Sequence, residues 1–310
     1  MKHECIPNLF LVGAPKCGTT AMYSYLNEHP QIYMSPKKEP QFFAGDVLGH
    51  QRNVIAVEDY RRCFDRADGA RVVGEASTAY MVSRIAAEQI KSYNPSARIL
   101  VMLRNPIDVM HALHSKRLFM NMEHITDFGK AITCDDARLW RAGRWKGQPI
   151  IRPSYREVAS FPAQLKRFTN VFGRDRVHVV VYDDFRSDPA TEYAKLLAFL
   201  GVDPAPSRDF IRHNANRRVR NMAAQDWLRD PPGFFRRIAR SVLPTQVRRT
   251  LGQKLRSINV KYEPRAAIDP ALRLHLQREF APEVEELSQI LRRDLTHWVR
   301  QAPSVGSSAA

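Results

Sequence analysis

Phe10-Leu-Val-Gly-Ala-Pro-Lys-Cys-Gly-Thr-Thr-Ala-Met-Tyr-Ser-Tyr-Leu, residues 10–26, has the pattern of a strand, a tight turn and a helix. Leu9 to Val12 is an apolar run of strand length, and Gly13 and Pro15 break it. Gly18, Thr19 and Thr20 follow, and Ala21 to Glu28 reads as a helix with Met22, Tyr25 and Leu26 on one side. A strand, a glycine-bearing turn and a helix point several backbone N–H groups at a bound anion, with the partial positive charge of the helix N-terminus behind them. Lys16 adds a full charge, and the two threonine hydroxyls add donors. Gly13 and Gly18 have the spacing of a G-x-x-x-x-G-K-[ST] nucleotide loop, but Thr19 stands where that loop has its lysine. The lysine is Lys16, inside the loop. The stretch is either a phosphate cradle unlike that of ordinary NTPases or a strand-turn-helix whose lysine is merely solvated.

The rest of the composition bounds the answer. A chain of 310 residues with 44% hydrophobic and 26% charged residues is ordinary globular material, and no apolar run approaches the ~20 residues that span a bilayer. Residues 1–7 lack a signal-peptide core. Cys5, Cys17, Cys63 and Cys134 are scattered without a C-x-x-C, so they read as reduced thiols in a cytoplasmic protein, not as a disulfide framework or a metal site. The net charge of +16 favours an anionic partner without choosing among nucleotide, nucleic acid, acidic membrane and acidic glycan. No zinc-finger spacing or RNP-type strand is present, and nucleic acid is not expected.

Further along, Pro36 and Pro40 hold residues 36–40 extended, and Phe42 and Phe43 anchor that segment in the core. This fixes Glu39 close to the loop after the first strand, although a glutamate beside Lys37 and Lys38 is more often a surface ion-pair partner. Val72 onward is a short buried strand leading into Glu75, Ser77 and Tyr80. Glu75 either lines a cleft or only fixes a loop. Helix Ile85 to Ser92 precedes Ile99 to Leu103, a continuous apolar run of the kind a buried parallel strand requires. Arg104 lies just past that run, where open α/β sheets bind ligands, and Pro106 opens a helix. His111 and His114 share that helix as ordinary surface or hydrogen-bonded histidines, with His114 also placed to face a cleft.

Residues 117–153 interleave aromatic and cationic side chains, which suits either a sugar or anion surface or a helical insertion. Val57 to Phe64 and Ser160 to Phe172 read as helices, and residues 176–185 as a strand. Asp188-Pro189 starts a helix that Gly201 stops. Residues 213–221 form an arginine-rich loop. In 231–260, Phe234, Phe235, Ile238 and Val242 make an apolar stripe beside Arg236, Arg237 and Arg240. Such a helix either touches an acidic membrane peripherally or docks on the domain with its arginines in water. Helices Ala271–Phe280 and Pro282–Trp298 and a disordered tail, 303–310, complete the chain.

In their order and settings these motifs resemble the sulfotransferases that use 3′-phosphoadenosine 5′-phosphosulfate (PAPS), in particular bacterial members related to the glycan-type enzymes. The resemblance covers residues 8 to about 221 and the last helix. It implies a P-loop-like parallel sheet flanked by helices, with helical C-terminal additions, as one domain over 1–310. It also implies that Pro15, Lys16, Cys17, Gly18, Thr19 and Thr20 hold the 5′-phosphosulfate within loop 13–20. Glu39, just before Phe-Phe once Pro40 and Gln41 are passed, takes the place of the base that deprotonates the acceptor. Glu75, Ser77 and Tyr80 fall on the acceptor side, and His114, from its place on the helix, is a further acceptor-side candidate. The segment 98–115 matches the 3′-phosphate motif through Arg104, and the basic segment 213–221 offers Arg217, Arg218 and Arg220.

One departure concerns Ala112, which stands where the family usually has a phosphate-binding serine eight residues after the arginine. Ser115, one turn on, is the substitute at hand, so rearranged 3′-phosphate contacts are expected. The implied reaction moves a sulfuryl group from PAPS, with no metal, to a hydroxyl or amine of a glycan, glycolipid or small molecule. Two rivals stand beside it: a magnesium- and ATP-dependent P-loop phosphotransferase, and a non-catalytic polyanion-binding protein.

Overall fold

A computed structural model describes residues 5–120, 122–135, 144–145, 148–149, 153–204, 217–219, 260–263 and 265–300. Its strands are β1 (Leu9–Gly13), β2 (Ile32–Met34), β3 (Val72–Ala76), β4 (Arg98–Leu103), β5 (Arg144–Trp145), β6 (Gln148–Pro149), β7 (Val177–Val181), β8 (Arg217–Val219) and β9 (Val260–Tyr262). The chain divides into two compact units. Met1–Met110, Cys134–His213 and Asp269–Ala310 make the first, and His111–Thr133 with Asn214–Ile268 make the second.

The first unit is built on a five-stranded sheet in the order β2-β3-β1-β4-β7, parallel throughout. Every residue of β1 and β3 is buried, and β4 is buried beyond Arg98. That is why β1 and β4 read as unbroken apolar runs and not as alternating ones. The chain leaves β1 toward β3 and β2 but leaves β4 toward β7, so the carboxyl ends of β1 and β4 flank the switch point where such sheets take ligands. A register shift between Leu11 and Gly13 lies at that end of β1.

Helices surround the sheet. Helix Phe161–Phe172 buries Phe161, Leu165, Phe168 and Phe172, one face at helical spacing. Helix Pro189–Leu200 starts as its sequence announces, with Asp188 accepting from the Thr191 N–H, and Gly201 ends it with φ 66°. Among the described residues no helix is long and apolar enough to cross a membrane.

Several expectations are corrected. The last two helices are one, Pro270–Leu291, with Pro282 inside it and a short 3₁₀ turn at Thr296–Trp298. Leu276, Phe280, Val284 and Leu287 form one buried stripe that runs through the proline. Docking of that stripe outweighs the single backbone bond the proline removes. The strand at 176–185 stops at Val181, and Tyr182–Ser187 is helical. Residues 217–219 of the expected basic loop are strand β8, paired antiparallel with β9 in the second unit. The amphipathic stripe of 231–259, Arg220 and the tail 303–310 lie outside the described residues.

Candidate active site

The loop over residues 13–20 is shaped by its glycines. At Gly13, φ is 151°, and a Cβ there would lie 2.5 Å from the Met81 Cβ. At Gly18, φ is 90°, and a Cβ would meet the rings of Tyr182 and Phe185 at 3.2 and 3.3 Å. Lys16 also takes a left-handed backbone, φ 67°. The Ala14 N–H donates to the Met102 carbonyl at 2.7 Å, which ties the loop to the end of β4. Gly18 is the N-cap of helix Thr19–Asn27 and supplies no side-chain cap. The first-turn N–H groups thus meet no capping side chain, as an anion cradle requires. Thr19 is buried and Thr20 half-buried. The Cys17 thiol is fully buried, and burial pushes its pKa up to about 12. Cys17 therefore serves the loop by packing and by its backbone.

Arg104 completes this corner. Its guanidinium lies 4.7 Å from the centre of the Tyr182 ring. Its Nη1 approaches the Lys16 carbonyl at 3.5 Å, and its Nη2 the Asp108 carboxylate at 3.4 Å. Asp108 also accepts from Arg273 at 3.0 Å. Nothing local in the sequence announces the contact of Tyr182 with Arg104. Asp108, by contrast, sits at the helical i+4 spacing from Arg104 and was open to detection.

Glu39 stands on the neighbouring strand end. Its N–H donates to the Ala76 carbonyl at the end of β3 at 2.9 Å, and its own carbonyl accepts from Asn53 at 2.7 Å. One carboxylate oxygen accepts from Thr78 Oγ1 at 3.1 Å and Gln41 Nε2 at 3.3 Å. The other lies 3.7 Å from Lys38 Nζ, and the side chain is 22% exposed, so it is both held and reachable. Phe42 and Phe43 anchor the segment as expected: Phe42 stacks on Tyr60 at 4.5 Å, and buried Phe43 packs on Phe10 at 6.1 Å.

The remaining candidates fall elsewhere. Glu75, Ser77 and Tyr80 are all buried. The Glu75 carboxylate accepts from Tyr60, Ser77 and Tyr80 at 2.9, 2.7 and 2.7 Å. This is the geometry of the loop-fixing alternative. In the second unit, the Ser115 hydroxyl donates back to the His111 carbonyl at 3.2 Å. His114 Nε2 pairs with the Ile125 carbonyl at 2.8 Å, and burial lowers its pKa. Arg217 and Arg218 lie on β8 opposite Tyr262 and Lys261.

With this geometry in place, comparison with known proteins is decisive. Residues 7–228 match the model of the sulfotransferase domain. This chain belongs to the sulfotransferase domain family. The matched span takes in the loop, Glu39, β3, Arg104 and β8. Among solved structures, a sulfotransferase from Alicyclobacillus acidocaldarius is 28% identical with a TM-score of 0.69, over 96% of this chain and all of that one. Among curated proteins, human carbohydrate sulfotransferase 15 is 28% identical over 253 residues, covering 65% of this chain and 45% of the relative. The bifunctional heparan sulfate N-deacetylase/N-sulfotransferase 1 of Caenorhabditis briggsae is 23% identical over 219 residues, covering 69% of this chain and 25% of the relative. The sulfotransferase-family chain therefore spans less than half the length of either curated relative.

Proposed function

We propose that this chain transfers a sulfuryl group from PAPS to a hydroxyl or amine of a glycan, glycolipid or smaller acceptor, both units acting as one sulfotransferase domain. One observation carries the reading: the ends of three adjacent strands, β3, β1 and β4, hold a reachable carboxylate, a glycine-shaped anion loop and an arginine. The residues present fit a phosphate: the helix that starts after Gly18 has no capping side chain at its N-terminus, and the cationic Lys16 and Arg104 stand beside it. PAPS would supply the sulfuryl group and leave as adenosine 3′,5′-bisphosphate.

Glu39 takes the acceptor's proton while the acceptor oxygen or nitrogen attacks sulfur in line. As the sulfur–oxygen bond to the phosphate breaks, Lys16 and the N–H groups of residues 15–20 take up the charge on the departing oxygen. Arg104, whose planar fork suits phosphate oxygens, binds the 3′-phosphate. The names of the curated relatives support a glycan acceptor. Four cysteines, none in a disulfide, support a cytoplasmic setting, and the Alicyclobacillus likeness supports a bacterial one. Peripheral membrane contact through 231–260 remains part of the proposal for a lipid-linked acceptor.

The test is incubation with PAPS and a panel of desulfated glycans, with the bisphosphate measured by anion-exchange chromatography. Acceptor-dependent release is expected. Turnover of ATP with magnesium, and none of PAPS, would overturn the reading.

A further inference from the structure

Glu39-Pro-Gln is an unusual tripeptide. Glu39 and Gln41, both with side chains, take left-handed φ values of 62° and 63° on either side of Pro40. Residues with a Cβ avoid that region, and they persist in it where the surroundings over-determine them. Three bonds do so here. The Glu39 N–H is held by the Ala76 carbonyl at 2.9 Å, and the Glu39 carbonyl by Asn53 at 2.7 Å. The Gln41 N–H donates to Ser77 Oγ at 2.9 Å. That hydroxyl in turn donates to Glu75 at 2.7 Å, so Glu75 fixes which way the Ser77 lone pairs face.

Glu75 is 0% exposed, and its other oxygen gathers the hydroxyls of Tyr60 and Tyr80. Tyr80 also accepts from the Phe43 N–H at 3.4 Å. Residues 41 and 43, immediately after Glu39, thus both hang on hydroxyls that Glu75 orients. An apolar core would hold these elements together more cheaply. Burying a carboxylate costs desolvation, which pushes the Glu75 pKa up to about 7 against the three hydroxyl bonds that lower it. What the buried carboxylate does supply is a fixed direction for the three hydroxyls that donate to it.

We propose that Glu75 is a positioning residue for sulfuryl transfer, holding the Glu39 turn in its left-handed form through Ser77 and the Gln41 amide. The proposal rests on the reading of Glu39 as the base.

Glu75→Gln keeps the shape but replaces an acceptor oxygen with a donor. Ser77→Ala removes the Gln41 acceptor and serves should Glu75→Gln fold poorly. The first readout needs no catalysis: amide hydrogen exchange at Gln41 should quicken by at least ~10-fold in both variants, with affinity for adenosine 3′,5′-bisphosphate within twofold of the parent. With PAPS and desulfated heparin, kcat should fall on the order of 10- to 100-fold with little change in KM for PAPS. In a Glu39→Gln background, Glu75→Gln should add less than about twofold, since the effect runs through Glu39. Unchanged Gln41 exchange overturns the proposal, as does native kcat in a Glu75→Gln protein that is merely less heat-stable. If desulfated heparin is not turned over, the exchange rates decide alone. Native turnover in Glu39→Gln would overturn the base assignment and this inference together. A dead Glu39→Gln beside a fully active Ser77→Ala and Glu75→Gln would overturn this inference only.

Discussion

The Arg104 guanidinium lies over the Tyr182 ring, 4.7 Å from its centre, at the end of β4 and 3.5 Å from the Lys16 carbonyl. The Tyr182 ring and the Asp108 carboxylate hold the guanidinium beside the loop that follows β1. Lysine can neither stack this way nor offer two parallel donors. Arg104→Lys should therefore weaken adenosine 3′,5′-bisphosphate about tenfold, roughly 1.4 kcal/mol, and leave AMP within about twofold. Titration calorimetry with both ligands checks this, and equal losses for the two would place Arg104 away from the 3′-phosphate.

Gly18 is required twice, by its φ of 90° and by the rings 3.2–3.3 Å from any added Cβ. Gly18→Ala should cost about 1–2 kcal/mol of stability, the scale of a left-handed residue with a side chain. It should also push the loop off Tyr182 and weaken bisphosphate binding. Denaturant melts and the same titrations read both effects; a variant with parental stability would show that the loop tolerates a Cβ after all.

Burial raises the Glu75 pKa from 4.5 to about 7, against the lowering effect of Tyr80, Ser77 and Tyr60 and with a smaller raising effect from Glu39. Between those two values the folded chain keeps a proton that the unfolded chain has released. Stability from this group therefore falls as pH rises through that window and is flat above it, by up to about 3 kcal/mol. Glu75→Gln has no such proton to lose. Its stability relative to the parent should climb between pH 5 and pH 8 in paired urea melts, and parallel pH curves would refute the shift.

Glu39→Gln keeps the size of the side chain and removes the carboxylate proposed to accept the proton. Turnover of PAPS should drop at least ~100-fold while bisphosphate affinity stays within twofold. Loss of affinity along with turnover would instead make Glu39 part of the nucleotide site.

Much of this was legible in the sequence wherever the controlling interactions are local. β1 and β4 are buried on both faces and had to be apolar runs, and the φ demands at Gly13 and Gly18 are met only comfortably by glycine. Asp188 and Gly201 announced the ends of their helix. What stayed hidden depends on partners far along the chain. Gln41 bonds to Ser77 and Glu39 to Thr78, 36 and 39 residues apart, and no periodicity encodes those meetings. The pairing of β8 with β9 and the continuous helix through Pro282 were hidden for the same reason, because each is decided by what the segment docks against.

The proposed PAPS site at the ends of β1 and β4 can be probed by a thermal-shift series. The ligands are adenosine 3′,5′-bisphosphate, AMP, ADP and ATP, each with magnesium or EDTA. A ligand at a hundred times its Kd stabilises by about 2.7 kcal/mol, a readily measured shift. A large shift with the bisphosphate, indifferent to magnesium, and a much smaller one with AMP are expected. A shift with ATP only in magnesium would contradict the proposed site in favour of phosphoryl transfer, and no nucleotide response at all would contradict it in favour of polyanion binding.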